Sequence, residues 1–231
     1  MNFLDRIRQG NKIAKVLSER NGAKVLLLWN MAANRHMVLK IYDTPVQAYE
    51  FLKGYSHPNL PELYDVQYAD GKQFVFEEYV DGISVAEVLE NGHYTYRGAK
   101  KVIGSLCDAM GFLHELGLVH RDLKPENIMV SNSGVVKLLD LNASRVFDPE
   151  KSKDTVALGT LGYASPEQLG IAQCDGRTDV YALGVLLNVM LTRLHPAQQL
   201  AKGKAGKIVQ KCTLIDPDSR YQTVNNLKNA L

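Results

Sequence analysis

Residues 127–140, NIMVSNSGVVKLLD, carry an amide and a carboxylate at the two ends of a hairpin pattern. Two apolar stretches flank Ser131-Asn132-Ser133-Gly134, a composition that reverses the chain. In an antiparallel hairpin centred near Ser133 and Gly134, residues whose numbers sum to about 267 face one another, so Asn127 and Asp140 meet at the open end. Both side chains offer oxygen, and magnesium takes oxygen ligands, commonly one or two from protein and the rest from phosphate and water. In isolation such an Asn and Asp would be read as caps on two strand ends. The residues that precede Asn127 decide against that reading.

Val119 is followed by His120-Arg121-Asp122-Leu123-Lys124-Pro125-Glu126-Asn127, which matches H-R-D-L-x-x-x-N, the catalytic-loop pattern of protein kinases, at every fixed position. On these residues the chain resembles the eukaryotic-like serine/threonine protein kinases, with a compactness similar to the small bacterial members. The resemblance implies that Asp122 orients the acceptor hydroxyl and takes its proton, that Lys124 steadies the γ-phosphate of ATP, and that Asn127 and Asp140 hold Mg2+ or Mn2+. Lysine two residues after the aspartate is the serine/threonine form of the loop. Met37-Val38-Leu39-Lys40 resembles the V-A-I-K strand, whose lysine binds the α- and β-phosphates. Residues 159–167, GTLGYASPE, resemble the segment that closes a kinase activation loop, with Ser165 in place of the alanine of A-P-E. By the same resemblance Asp179 braces the catalytic-loop backbone, and Arg220 pairs with Glu167.

These residues need two kinds of scaffold. The first third reads as strands, Ile13 to Leu17, Lys24 to Trp29, Met37 to Ile41 and Gln73 to Phe76, with Asn21-Gly22 as a turn. Thr44-Pro45-Val46-Gln47 has a capping threonine, a proline at the first helical position and Gln three residues after the cap, which predicts a short helix to about Lys53. From about residue 95 the apolar period becomes helical, with Ala99, Val102, Ile103, Leu106, Met110, Leu113 and Leu116 on one face before Gly117. Further helices are predicted from Thr178 to Leu191, Gly203 to Thr213 and Tyr221 to Ala230. The fold class is therefore α+β. Through the resemblance it is the bilobal protein-kinase fold, in a single domain: residues 1–79 as the N-lobe, 80–82 as the hinge and 83–231 as the C-lobe. Backbone groups of Glu78 and Val80 are then expected on adenine, with Leu17, Val25, Val38 and Met129 sandwiching the ring.

The sequence also departs from the family pattern. Where G-x-G-x-x-G-x-V is expected, Leu17 is followed by Ser18-Glu19-Arg20-Asn21-Gly22-Ala23-Lys24-Val25. Without glycines, Ser18, Arg20 and Ala23 should weaken or reshape the phosphate cradle, with Arg20 offering charge instead. Asp140-Leu141-Asn142 stands for D-F-G, and Asn tolerates a left-handed turn. The acid expected against Lys40 is Glu50, the one carboxylate of the short helix, although counting back from His57-Pro58 puts Ala48 at the usual place. An acid, Glu77, also occupies the gatekeeper position. The stretch between the Thr178 helix and Lys207 is short, so an extra helix there is curtailed.

Composition narrows the alternatives. A net charge of +2 over 231 residues implies no strong field for nucleic acid or an acidic membrane. Three cysteines far apart give neither a zinc spacing nor a disulfide framework. The start, MNFLDRIRQGNK, is charged where a secretory signal is apolar, and the greasy run from Tyr181 to Leu191 is too short to span a bilayer, which together predict a cytoplasmic location. The leading function is ATP-dependent phosphorylation of a serine or threonine on a protein substrate, this chain included. The alternative is a pseudokinase that binds nucleotide as a scaffold, given its altered phosphate loop. A small-molecule kinase is disfavoured by the combination of Arg121, Lys124 and the Thr160–Glu167 segment. Ser152 and Thr155 lie where an activating phosphate would be expected, with Thr155 the first candidate and Arg121 its charge partner.

Overall fold

In Arg35–Tyr42 the set Met37, Leu39 and Ile41 alternates with Val38, Lys40 and Tyr42, and the two-residue period of a strand sends the two sets to opposite faces. Both sets are buried, so this strand is covered on both sides. The computed structural model describes residues 3–20, 22–147, 160, 162–169 and 173–231. They form two compact units that divide in sequence between Asp81 and Gly82.

The first unit opens with helix α1 (Phe3–Gly10) and continues with strands β1 (Asn11–Arg20), β2 (Ala23–Asn30) and β3 (Arg35–Tyr42). A one-turn helix α2 (Ala48–Phe51) follows, and then β4 (Leu63–Ala69) and β5 (Lys72–Glu78). The strands make one antiparallel sheet in the order β1-β2-β3-β5-β4. One sheet face carries a core of Leu26, Leu28, Met37, Leu39, Ile41, Phe74 and Phe76, against which Phe3 and Ile7 of α1 pack. Phe3 meets Phe74 edge-on with ring centroids 4.5 Å apart. Helix α1 was not legible as a core element, because its charged residues dominate the sequence there.

Helix α2 is shorter than predicted. It begins at Ala48, and its N-cap residue is Gln47, which makes no side-chain capping bond, rather than Thr44. The cause is Gln73 of β5, a buried amide that accepts from the Val46 backbone N–H at 2.8 Å and donates to its carbonyl at 3.3 Å. Gln73 thus ties down the Val46 N–H, while the Val46 carbonyl also accepts the Tyr49 N–H at 3.3 Å, so the helical bonds begin only there.

The second unit contains β6 (Gly82–Ser84), α3 (Val85–Asn91), α4 (Tyr96–Glu115), β7 (Leu118–Val119), β8 (Ile128–Ser131), β9 (Val136–Leu138) and β10 (Arg145–Val146). After them come α5 (Gly176–Thr192), α6 (Gly203–Cys212) and α7 (Val224–Ala230). Ser84 and Glu87 form a reciprocal capping box at the start of α3, a signal present in the sequence. The core faces of α4 and α5 hold the fully buried Ile103, Leu106, Met110, Leu113, Leu183 and Leu187. Between α5 and α6 no helix forms, as the short spacing predicts. Instead the buried Asn188 organises the connection, donating to the Leu194 and Gln199 carbonyls and accepting from the Ala201 N–H, each at 2.8 Å. Cys107, Cys174 and Cys212 are buried, and burial pushes the Cys107 thiol up to about 12.

Helices α5 and α6 touch through Gly184, where an added Cβ would lie 2.2 Å from Cys212 Cβ. Two effects oppose one another in Gly184→Ala. Helix propensity favours alanine by about 1 kcal/mol, whereas overpacking of a tight interface costs about 1–3 kcal/mol. Both atoms in the clash sit next to backbone and cannot rotate away, so the clash should win. Gly184→Ala is expected to lower the thermal unfolding midpoint, measured by circular dichroism.

Candidate functional site

The catalytic-loop motif lies between β7 and β8 of the second unit. Its central backbone residue, Arg121, has φ +70°, a conformation that costs a non-glycine residue about 1–3 kcal/mol unless its surroundings enforce it. They do so from both sides. Asp179, fully buried on α5, accepts the His120 N–H at 3.0 Å and the Arg121 N–H at 2.9 Å. Gln168 Nε2 donates to the Arg121 carbonyl at 2.8 Å, while the Gln168 oxygen accepts from the Ser165 N–H. Burial pushes the Asp179 carboxyl up, but hydrogen bonding and the positive field at His114, with the loop N–H groups, hold it below the usual carboxylate range. His114 Nε2 lies 2.8 Å from Asp179 Oδ2. Neither His114 nor Gln168 was singled out in the sequence, because each is an unremarkable polar residue until α4 and the Pro166–Leu169 turn are placed.

That clamp sets the position of Asp122. Its Oδ1 accepts from the Thr160 hydroxyl at 2.6 Å, and its Oδ2 lies 2.8 Å from Lys124 Nζ. Lys124 Nζ also donates to Thr160 Oγ1 at 3.1 Å. Asn127 Nδ2 donates to the Asp122 carbonyl at 2.9 Å and to Oδ2 at 3.2 Å. Burial raises the Asp122 carboxyl, yet the hydrogen bonds from Lys124 and Thr160 outweigh it, so the net shift is downward and the group is ionised at neutral pH. Asp122, Lys124, Asn127 and Thr160 are thus one connected network.

Asp140 is brought to the same end of the hairpin by register. Strands β8 and β9 pair Ile128 with Leu138, Met129 with Lys137 and Val130 with Val136, one position in register from the pairing read from the sequence. Leu139 N–H donates to the Asn127 carbonyl at 2.7 Å, and Asp140 follows. The left-handed residue of this turn is Asp140 itself, with φ +56°, rather than Asn142. Asn142 contributes its N–H, which donates to Asp140 Oδ1 at 3.1 Å. The donor set fits a hard cation. Because the Asn127 nitrogen is turned to Asp122, its amide oxygen is the atom left to a ligand, and the Asp140 carboxylate adds a second oxygen donor.

In the first unit Lys40 is buried, and its ion-pair partner differs from expectation. Lys40 Nζ lies 2.7 Å from Glu77 Oε1 and donates to the Tyr49 hydroxyl at 3.0 Å. Glu50 instead pairs with Lys53 at 2.8 Å and accepts from the Tyr68 hydroxyl at 2.8 Å. The reason is helical geometry: successive residues turn by about 100°, so with Tyr49 facing the sheet Glu50 cannot.

Antiparallel register puts Val25 opposite Lys40, and Val38 opposite Glu77, on one sheet face. Leu17 is the extra residue of a bulge in β1 and is exposed. Strands β1 and β2 run on through Arg20 and Ala23, with a salt bridge at 2.8 Å between the facing Glu19 and Lys24. A tight hairpin turn with Gly22 at φ +74° therefore replaces the open glycine loop. Glu78 ends β5, with its N–H donating to the Glu62 carbonyl at 2.8 Å, and Val80 is buried just beyond. Met129 lies on β8 of the second unit. Ser152, Thr155 and Gly159 lie outside the described residues.

Glu167 and Arg220 form a buried bidentate pair at 2.7 and 2.9 Å, to which Thr178 adds a hydroxyl at 3.0 Å. Residues 19–230 match the protein kinase domain family. This chain belongs to the protein kinase family. The chain is 32% identical over 180 residues to an Aurora kinase of Candida glabrata, covering 77% of this chain and 50% of that protein. It is 30% identical over 204 residues to the serine/threonine-protein kinase PknB of Mycolicibacterium smegmatis, covering 75% and 33% respectively. A probable serine/threonine-protein kinase PknB of Lactococcus lactis is 33% identical over 143 residues, 61% of this chain and 23% of the relative. The chain thus spans half or less of the length of these relatives. Among its described residues no helix is long and apolar enough to cross a membrane.

The Glu167–Arg220 pair makes a stability prediction. Breaking a buried ion pair by removing one partner costs about 3–5 kcal/mol, so Glu167→Gln should be strongly destabilised at pH 7. Burial raises the Glu167 carboxyl, but Arg220 more than compensates, and the net folded value is lowered. A lowered carboxylate contributes stability above its unfolded value, about 4.3, and loses that contribution as pH falls through the folded value. The gap between wild type and Glu167→Gln, read by denaturant titration, should therefore be full at pH 7 and shrink below about pH 4.

Proposed function

We propose that this chain is an active serine/threonine protein kinase, transferring the γ-phosphoryl group of ATP to a serine or threonine hydroxyl of a protein, itself included. We propose also that residues 1–79 and 83–231 act as its two lobes, joined by a hinge at 80–82. The observation that carries the reading is the Asp122 network, in which a partly buried, ionised carboxylate already accepts from an alcohol, the Thr160 hydroxyl, at 2.6 Å beside the Lys124 ammonium.

In this reading Asp122 accepts a hydrogen bond from the acceptor hydroxyl and directs its oxygen at the γ-phosphorus. As the new P–O bond forms, the bond to the bridging β,γ-oxygen breaks and ADP departs. The hydroxyl proton passes to Asp122. A carboxyl held below its ordinary range is a weak base at rest, which suits orientation and late proton acceptance, since the hydroxyl becomes acidic only in the transition state. Lys124 places positive charge on the transferring group, and Lys40 does the same for the α- and β-phosphates. Mg2+ held by Asn127 and Asp140 would neutralise the phosphate charge. Val25, Val38 and Leu17 would offer apolar surface to adenine, whose edge would meet the backbone of Glu78 and Val80. Cys107, Cys174 and Cys212, buried as thiols, suit a reducing compartment such as the cytoplasm.

A second reading, a nucleotide-binding scaffold without turnover, is favoured by one observation. The tight β1–β2 hairpin supplies no run of glycine amides to phosphate. Labelled ATP, magnesium and a generic acceptor such as casein separate the two readings, since the scaffold would label neither itself nor casein. In the same assay Asp122→Asn should lower transfer by about 10²–10⁴-fold while Mg-ATP binding is kept. Full activity in that variant would remove Asp122 from its role.

A further inference from the structure

The buried charge pair on the first-unit sheet has no counterpart in the family pattern read from the sequence. We propose that Glu77 is the positioning residue for Lys40, in place of an acid carried on the short helix, so that the lysine is set by the sheet itself. The proposal rests on the kinase reading and names how its phosphate-binding lysine is held.

The register explains why the pair forms. In adjacent strands β3 and β5, Val38 faces Glu77 and Lys40 faces Val75. Glu77 is thus the diagonal neighbour of Lys40 on the same face, within reach of a long side chain. Both strands are interior to the sheet, and their backbones are fixed by hydrogen bonds on either side. The side chains are only 7% and 8% exposed, and the Nζ to Oε1 separation is 2.7 Å. At that burial neither charge is tolerable alone, so the sheet requires the pair whatever else the molecule does.

Helix α2 offers Lys40 a phenol, not a carboxylate. Tyr49 accepts from Lys40 at 3.0 Å, and its hydroxyl lies 3.3 Å from that of Tyr42 on β3. The helix's one acid, Glu50, is spent on Lys53 and Tyr68 at the surface. In kinases whose acid rides on the helix, moving that helix makes or breaks the lysine's ion pair and so switches the enzyme. Here both partners belong to neighbouring strands. The ion pair of Lys40 is therefore set within the sheet, and α2 contributes the Tyr49 hydroxyl in place of a carboxylate.

A mutant cycle tests the proposal with the purified 231-residue chain, labelled ATP, magnesium and casein. Glu77→Gln keeps the volume and removes the charge. It should lower kcat by about 10- to 100-fold, as expected for a misplaced phosphate contact, while Glu77→Asp should retain more of the rate. The decisive comparison is Lys40→Met against Lys40→Met/Glu77→Gln. If Glu77 acts through Lys40 the two share one residual rate, whereas a purely structural role adds a second loss. This comparison does not use Glu77→Gln alone: the double variant leaves no unpaired buried charge, and in Lys40→Met protonation can neutralise Glu77, with circular dichroism showing that both variants are folded. A larger loss from Glu50→Gln than from Glu77→Gln, or full activity in Glu77→Gln, overturns the proposal. Wild-type protein that transfers no label would sink the kinase reading instead, and Mg-ATP binding then carries the test: weaker binding in Glu77→Gln supports the proposal, and unchanged binding overturns it.

Discussion

The buried carboxylate of Asp179 is the constraint on which the candidate site depends. An ionised group with no exposed surface must be repaid in hydrogen bonds, and here it receives them from two consecutive backbone N–H groups and from His114. The exchange works in both directions. The N–H groups keep Asp179 charged, and Asp179 holds Arg121 in a left-handed conformation that an arginine would not adopt by itself. Only with the backbone turned in this way does the next residue, Asp122, reach Thr160, Lys124 and Asn127 together.

The same physical device recurs twice more. Glu167 and Arg220 join the segment after Thr160 to the stretch before α7, with Thr178 as an added donor. Glu77 and Lys40 do the equivalent within the first-unit sheet. In each case burial makes the unpaired state expensive, so the pair specifies a single arrangement even where its net contribution to stability is modest. The functional groups themselves are comparatively ordinary side chains. What distinguishes them is that each is attached to backbone whose alternatives have been made costly.

Much of this was legible in the sequence, for identifiable reasons. The α4 and α5 helices announce themselves by their apolar period, and the β8–β9 hairpin by its turn residues, to within one position of register. The catalytic-loop residues follow from fixed spacing along a short segment. What escaped was whatever depends on a facing surface. Helix α1 hides its two core residues among charges, and α2 is cut short by Gln73, a residue far along the chain whose amide competes for Val46. Glu50 was a reasonable partner for Lys40 by position on a helix, but the rotation of a one-turn helix depends on which side chain packs, and Tyr49 does. The Asn142 turn was legible as a turn, although the left-handed residue proved to be Asp140.

In the proposed reaction Asn127 and Asp140 hold the metal of a bound nucleotide. A crystal structure of the protein with magnesium and a non-hydrolysable ATP analogue measures this directly. The cation is expected on the Asn127 amide oxygen and the Asp140 carboxylate. Nucleotide bound away from these groups, or a phosphate chain that none of them touches, would contradict it.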